Sequence, residues 1–78
     1  MKAVIWTKDN CVFCKQAKSL LESEQIEYEE RHIGNGYTRE QLLEAVPNAR
    51  TVPQIFINEV LVGGFTELRE YLKEKHVN

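Results

Sequence analysis

Cys11 and Cys14 are the only two thiols in the chain, three residues apart as Cys11-Val-Phe-Cys14. Such a pair serves either reversible disulfide exchange or metal ligation. A structural zinc site needs four Cys or His ligands, and the chain offers only His32 and His76 besides the pair. Neither histidine has useful spacing, and both read as surface residues, so exchange is the better reading. In exchange a thiolate attacks a disulfide to form a mixed disulfide, and a second nearby thiol resolves it. Three-residue spacing on a helical turn brings both sulfurs within bonding range.

The flanking elements divide the two roles. Ala3-Val-Ile-Trp6 is a short β-branched and aromatic run followed by polar Thr7-Lys-Asp-Asn10, which reads as a buried strand running into a loop. From Cys11 to about Gln25 helix formers dominate, with Cys14, Ala17, Leu20 and Leu21 in an apolar stripe. Cys11 therefore falls at a helix N-terminus. There the free N–H groups of Phe13 and Cys14 and the helix dipole favour thiolate over thiol. In such settings a thiol pKa falls from about 8.5 to between roughly 3.5 and 7.5. Cys14, on the buried stripe, stays protonated. Cys11 is read as the exposed nucleophile and Cys14 as the resolving thiol.

Beyond the first helix, Ile26 to Ile33 is extended in character but dense in charge, as suits an edge strand. Gly34-Asn-Gly36 breaks the chain, and Thr38 with Gln41 matches a capping box opening a second helix. That helix carries Leu42, Leu43 and Val46 inward and stops before Pro47. Gln54-Ile-Phe-Ile57 and Val60-Leu-Val62 flank Asn58-Glu59, the spacing of a tight hairpin. After Gly63-Gly64, Thr66 and Glu67 cap a last helix with Leu68, Tyr71 and Leu72 on one face. Trp6 and Tyr71 belong to the core. The result is an α/β domain ordered β-α-β-α-β-β-α, a four-stranded mixed sheet flanked by three helices, with residues 1–78 as a single domain. The first and third helices cover one face.

Three further segments carry site chemistry. Thr51-Val52-Pro53 precedes an apolar strand, and a proline there often marks a cis bond. A cis turn would leave the Val52 N–H and C=O facing outward for an extended peptide; alone, the motif fits an edge-strand proline without function equally well. Gly63-Gly64-Phe65-Thr66-Glu67 presents a second helix N-terminus for a carboxylate, with Glu67 available to an ammonium. Lys8, three residues before Cys11, can support the thiolate or a ligand carboxylate by charge attraction. Phe13 is exposed between the cysteines and shapes the contact surface; packing into the core is the alternative.

Composition narrows the class. With 78 residues and 42% hydrophobic content, one packed core is expected without a staple. A net charge of -2 with no basic block argues against nucleic acid. The N-terminal apolar run is too short for a signal segment, and no stretch approaches the length of a membrane span. Two closely spaced cysteines fit reducing surroundings. A soluble, cytoplasmic monomer is expected.

In sequence order, Cys11-Val-Phe-Cys14, Thr51-Val-Pro53 with Gln54-Ile-Phe-Ile57, and Gly63-Gly64 with Phe65-Thr-Glu67 resemble the glutaredoxin family over nearly the whole chain. The resemblance implies a thioredoxin-like fold, a cis peptide before Pro53, glutathione as reductant and no tightly bound cofactor. It places glutathione against Lys8, Phe13, Thr51, Val52, Pro53, Gly64, Phe65, Thr66 and Glu67. It also implies disulfide-containing protein substrates, ribonucleotide reductase among the candidates. The family's usual dithiol is Cys-Pro-Tyr-Cys, so Val12 and Phe13 are departures, as is Glu67 in place of aspartate. Glutaredoxin-like redoxins served by thioredoxin reductase also carry Val after the first Cys, but typically lack the Gly63–Glu67 match. Carriers that bridge an iron-sulfur cluster through the first Cys and glutathione tend to have Gly-Phe-Ser after it, whereas Cys14 here offers a competing disulfide.

Overall fold

The computed structural model describes residues 1–76, with side chains as far as Glu74, so the His76 side chain lies outside the described residues. The elements run β1 (Lys2–Thr7), α1 (Val12–Ser23), β2 (Glu27–His32), α2 (Arg39–Ala45), β3 (Gln54–Ile57), β4 (Val60–Gly63) and α3 (Phe65–His76). The sheet order is β2-β1-β3-β4. Strands β1 and β2 are parallel, joined by the α1 crossover, while β3 pairs antiparallel with both β1 and β4. This is the thioredoxin-like α/β arrangement expected from the sequence. No helix among the described residues is long and apolar enough to cross a membrane.

Side-chain alternation along β1 sorts the core into two layers. Ala3 and Ile5, with Ile55 and Ile57 of β3, meet Ala17 and Leu21 of α1 and Leu68 and Leu72 of α3. Val4, Trp6 and Phe56 face the other way, against Leu42 and Val46. Helices α1 and α3 thus share one face, as the pattern predicts, and α2 takes the other. Trp6 is buried, and Tyr71 packs against the first layer. Leu43 does not turn inward: it is 38% exposed, because the short α2 presents only the Leu42 side to the sheet. The capping box is present, with Thr38 Oγ1 accepting from Gln41 N and Gln41 Oε1 accepting from Thr38 N.

Two local features bring distant segments to Cys11. Asn10 adopts a left-handed φ of 56° immediately before the cysteine, which turns the chain from the β1 loop into α1. At the other end, Asn58 and Glu59 have φ values of 50° and 70°, the two left-handed positions of a tight hairpin. Pairing of Ile55 with Gly63 but Phe56 with Leu61 leaves Val62 as an extra residue, a bulge just before the turn into α3. Gly63 holds φ 125°, and a Cβ there would meet the Glu67 side chain at 3.0 Å. Both observations require glycine.

Candidate active site

Cys11 is the residue that caps α1: its backbone is extended, and its sulfur accepts a hydrogen bond from Cys14 N at 3.1 Å. Of the two amides expected to donate, those of Phe13 and Cys14, it is the Cys14 N–H, the third of the helix, that reaches the sulfur, a regular partner for an N-cap side chain. Cys11 and Cys14 form a disulfide, with Cα atoms 5.2 Å apart. Cys14 is 2% exposed, as its place on the α1 stripe predicted. Cys11 is less open than expected, at 8%. Its sulfur sits between Cys14 and the Val52 carbonyl, whose oxygen is 3.7 Å away. That contact places the cis turn directly beside the reacting sulfur.

Around this pair the other sequence-predicted residues assemble through a chain of contacts. The Val52–Pro53 peptide bond is cis, and Pro53 is buried. A Cβ built on Gly64 would lie 3.5 Å from the Pro53 carbonyl oxygen, so the start of α3 abuts the cis turn. From α3, the Phe65 ring stacks on Phe13 at 6.1 Å between centroids and 26° between planes, returning to the cysteine helix. Phe13 is 59% exposed, so it forms surface and not core. Lys8, Thr51 and Val52 line one cleft beside the cis turn. Thr66 is exposed and makes no hydrogen bond to the rest of the site.

Capping of α3 differs from the sequence expectation. Gly64, not Thr66, precedes the helix, and its carbonyl accepts the first helical bond from Leu68 N at 2.9 Å. The Glu67 carboxylate reaches back to accept from Gly64 N at 2.9 Å. Glu67 thus serves the turn with one oxygen, while the amides of Phe65 and Thr66 lack intrahelical partners.

The chemistry this supports is dithiol-disulfide exchange. One cysteine sits on a helix N-terminus that stabilises an anionic sulfur, and the other lies in bonding range beneath it. The nearby Val52 carbonyl opposes the anion, but at 3.7 Å it is weaker than the direct N–H bond at 3.1 Å. Residues 3–62 match the glutaredoxin family model. The chain belongs to the glutaredoxin family. It is 40% identical over 65 residues to glutaredoxin 3 of Escherichia coli, covering 82% of this chain and 77% of that one. Its fold superimposes on reduced E. coli glutaredoxin with a TM-score of 0.79 at 33% identity, covering 95% of each chain. It also resembles a buckwheat glutaredoxin solved as a glutathione complex, with a TM-score of 0.77, 25% identity, and 94% and 69% of the two chains covered. This glutaredoxin is a thiol-disulfide oxidoreductase.

His32 is not the surface residue its sequence position suggests: in the glutaredoxin fold it is half-buried in a polar network. Its Nε2 lies 2.9 Å from Asp9 Oδ1 and its Nδ1 lies 2.9 Å from Thr7 Oγ1. Thr7, 1% exposed, donates to Glu30 Oε2 at 2.7 Å, and Lys18 Nζ donates to the same oxygen at 3.0 Å. The network joins the loop before Cys11 to α1 behind it. Parallel register carries the signal for it, since Thr7 pairs with His32 where β1 and β2 end.

Burial pushes the Glu30 carboxyl up. The Thr7 hydrogen bond, the Lys18 hydrogen bond and charge, and the His32 contact together outweigh burial and hold it below its ordinary value of 4.5. A carboxylate depressed in the folded state contributes stability that is fully present above the ordinary value and is lost as pH falls through the folded one. Glu30→Gln is therefore expected to destabilise the protein at pH 7 and to do so less at pH 3. Urea unfolding of both proteins at the two pH values checks this; an equal difference at both would refute it.

Proposed function

We propose that this glutaredoxin uses glutathione to reduce protein disulfides and glutathione mixed disulfides, with Cys11 as nucleophile and Cys14 as resolving thiol. The observation that carries the proposal is the Cys11 sulfur held by the Cys14 amide at the mouth of α1. Supporting it are the cis-Pro turn beside that sulfur, the second helix start that abuts the turn, and the aromatic pair that links this start to the cysteine helix.

In this reading glutathione lies across the cis turn. Its cysteinyl backbone meets Val52 beside Pro53, and one carboxylate reaches the Lys8 and Thr51 side. Its other end, carrying an ammonium and a carboxylate, reaches Gly64, Phe65, Thr66 and Glu67, with Phe13 against its flank. The free oxygen of Glu67 takes the ammonium, and the Phe65 and Thr66 amides take the carboxylate. Ribonucleotide reductase is among the proposed recipients of electrons, on family resemblance alone.

Glutathione with its reductase should support turnover of a mixed disulfide, and thioredoxin reductase should not. Activity with thioredoxin reductase only would replace glutathione with the other reductant. Cys14→Ser should keep reduction of small glutathione mixed disulfides, which a second glutathione resolves, and lose most protein-disulfide reduction. Equal loss of both activities would contradict the division of roles.

A further inference from the structure

Lys8, Arg39 and Arg50 come from three separate segments, the loop after β1, the first residue of α2 and the loop before β3, and line one cleft of about 230 Å³. Like charges brought together repel unless something anionic lies between them. Among the described residues none of the three takes part in an ion pair. The chain carries a net charge of -2, so the cluster is not the by-product of a basic protein. Ile33, Leu42 and Ala49 supply apolar lining, and Leu43, 38% exposed, joins them. Thr51 and Val52 form the remaining wall, and the Val52 carbonyl is 3.7 Å from Cys11 Sγ. A ligand in the cleft is thus next to the reacting sulfur.

We propose that this cleft receives an acidic, partly apolar stretch of polypeptide flanking the target disulfide of a protein substrate, and that Arg39 and Arg50 determine that preference. The proposal rests on protein disulfides being substrates, and goes beyond the glutathione reading. In the proposed pose the tripeptide's carboxylates are assigned to Lys8 and to the start of α3, and neither arginine is assigned to it. Carboxylates either side of the target cysteine settle against Arg39 and Arg50, while an apolar neighbour covers Leu42 and Leu43. The Cys11 thiolate then attacks one sulfur of the substrate disulfide, breaking that bond and releasing a substrate thiolate that takes a proton. The Cys14 thiol, losing its proton, attacks Cys11 Sγ and releases the second substrate thiol. The enzyme dithiol is oxidised to Cys11–Cys14 and the substrate disulfide is reduced to two thiols.

The test uses the full chain, reduced beforehand with a chemical dithiol and freed of it, in single turnovers followed by mass spectrometry. The substrates are two cyclic disulfide peptides of equal length, one with Asp and Glu flanking its cysteines and the other with Asn and Gln. The acidic peptide should react about threefold to tenfold faster at low salt, as expected for two partly exposed charges, with the advantage fading at high salt. Arg39→Gln with Arg50→Gln should erase the preference without slowing the neutral peptide, and Arg39→Glu with Arg50→Glu should reverse it in favour of a Lys-flanked peptide. Equal rates in the parent protein, or a preference that survives both double variants, would overturn the proposal. Failure to reduce either peptide would overturn it together with the protein-disulfide reading. Because no glutathione is present, a wrong assignment of the reductant leaves these outcomes unchanged.

Discussion

Cys11→Ser should abolish turnover with every disulfide substrate while leaving the protein folded. The serine hydroxyl fits the same N-cap position and accepts the same Cys14 amide, since Ser is a favoured capping residue. What disappears is the attacking atom: a hydroxyl does not ionise near neutral pH and does not exchange with disulfides. Cys14 does not substitute for it, being 2% exposed on the buried stripe of α1. Stabilisation of the Cys11 anion by the Cys14 amide also sets an expected titration. In the reduced Cys14→Ser protein, thiolate absorbance in the far ultraviolet should rise with a midpoint below the 8.5 or so of free cysteine. Residual activity in Cys11→Ser, or a midpoint at or above that of free cysteine, would remove Cys11 from the nucleophile's role.

Much of this site was legible in the sequence because its parts depend on local backbone chemistry. A cysteine at a strand-to-helix junction, a proline before an apolar strand and paired glycines before a helix each constrain the chain within a few residues. The same holds for the capping box at Thr38 and the hairpin at Asn58-Glu59, which the structure shows with the expected geometry. Sequence pattern was less informative where tertiary register decides. Thr7, Asp9, Lys18, Glu30 and His32 come from four segments, and their network exists only because β1 and β2 end level with each other.

The cation cleft was hidden for a related reason. Arg39 opens a helix and Arg50 sits in a loop, and each alone reads as ordinary surface. Only packing of α2 over the Trp6 face of the sheet brings them to Lys8 and to the Thr51–Val52 wall. The exposure of Leu43 belongs to the same geometry. Helical periodicity counts it with Leu42 as apolar, but a seven-residue helix touching the sheet along one narrow line buries only one of the two.

The largest stability effect is expected where the core meets the site, at Leu68→Ala. Leu68 is fully buried in the first turns of α3, among Ile5, Ile55, Ile57 and Leu21. Truncating a buried leucine costs about 2–5 kcal/mol, through lost transfer energy and the cavity left behind. A 78-residue domain has only about 4–12 kcal/mol in total at the usual stability per residue. Thermal unfolding should therefore fall by about 10 °C or more. Leu61→Ala, on the exposed edge strand where the side chain is 44% open, should stay within about 0.5 kcal/mol of the parent. Leu68 N also donates to the Gly64 carbonyl at the start of the turn that carries Phe65 and Glu67. On the proposed glutathione reading, loosening its packing should consequently raise the KM for glutathione before the protein unfolds, with kcat less affected, because the start of α3 is disturbed while the Cys11 cap on α1 is retained. A variant as stable as Leu61→Ala would show that α3 docks without its central leucine, contrary to the layer packing described above.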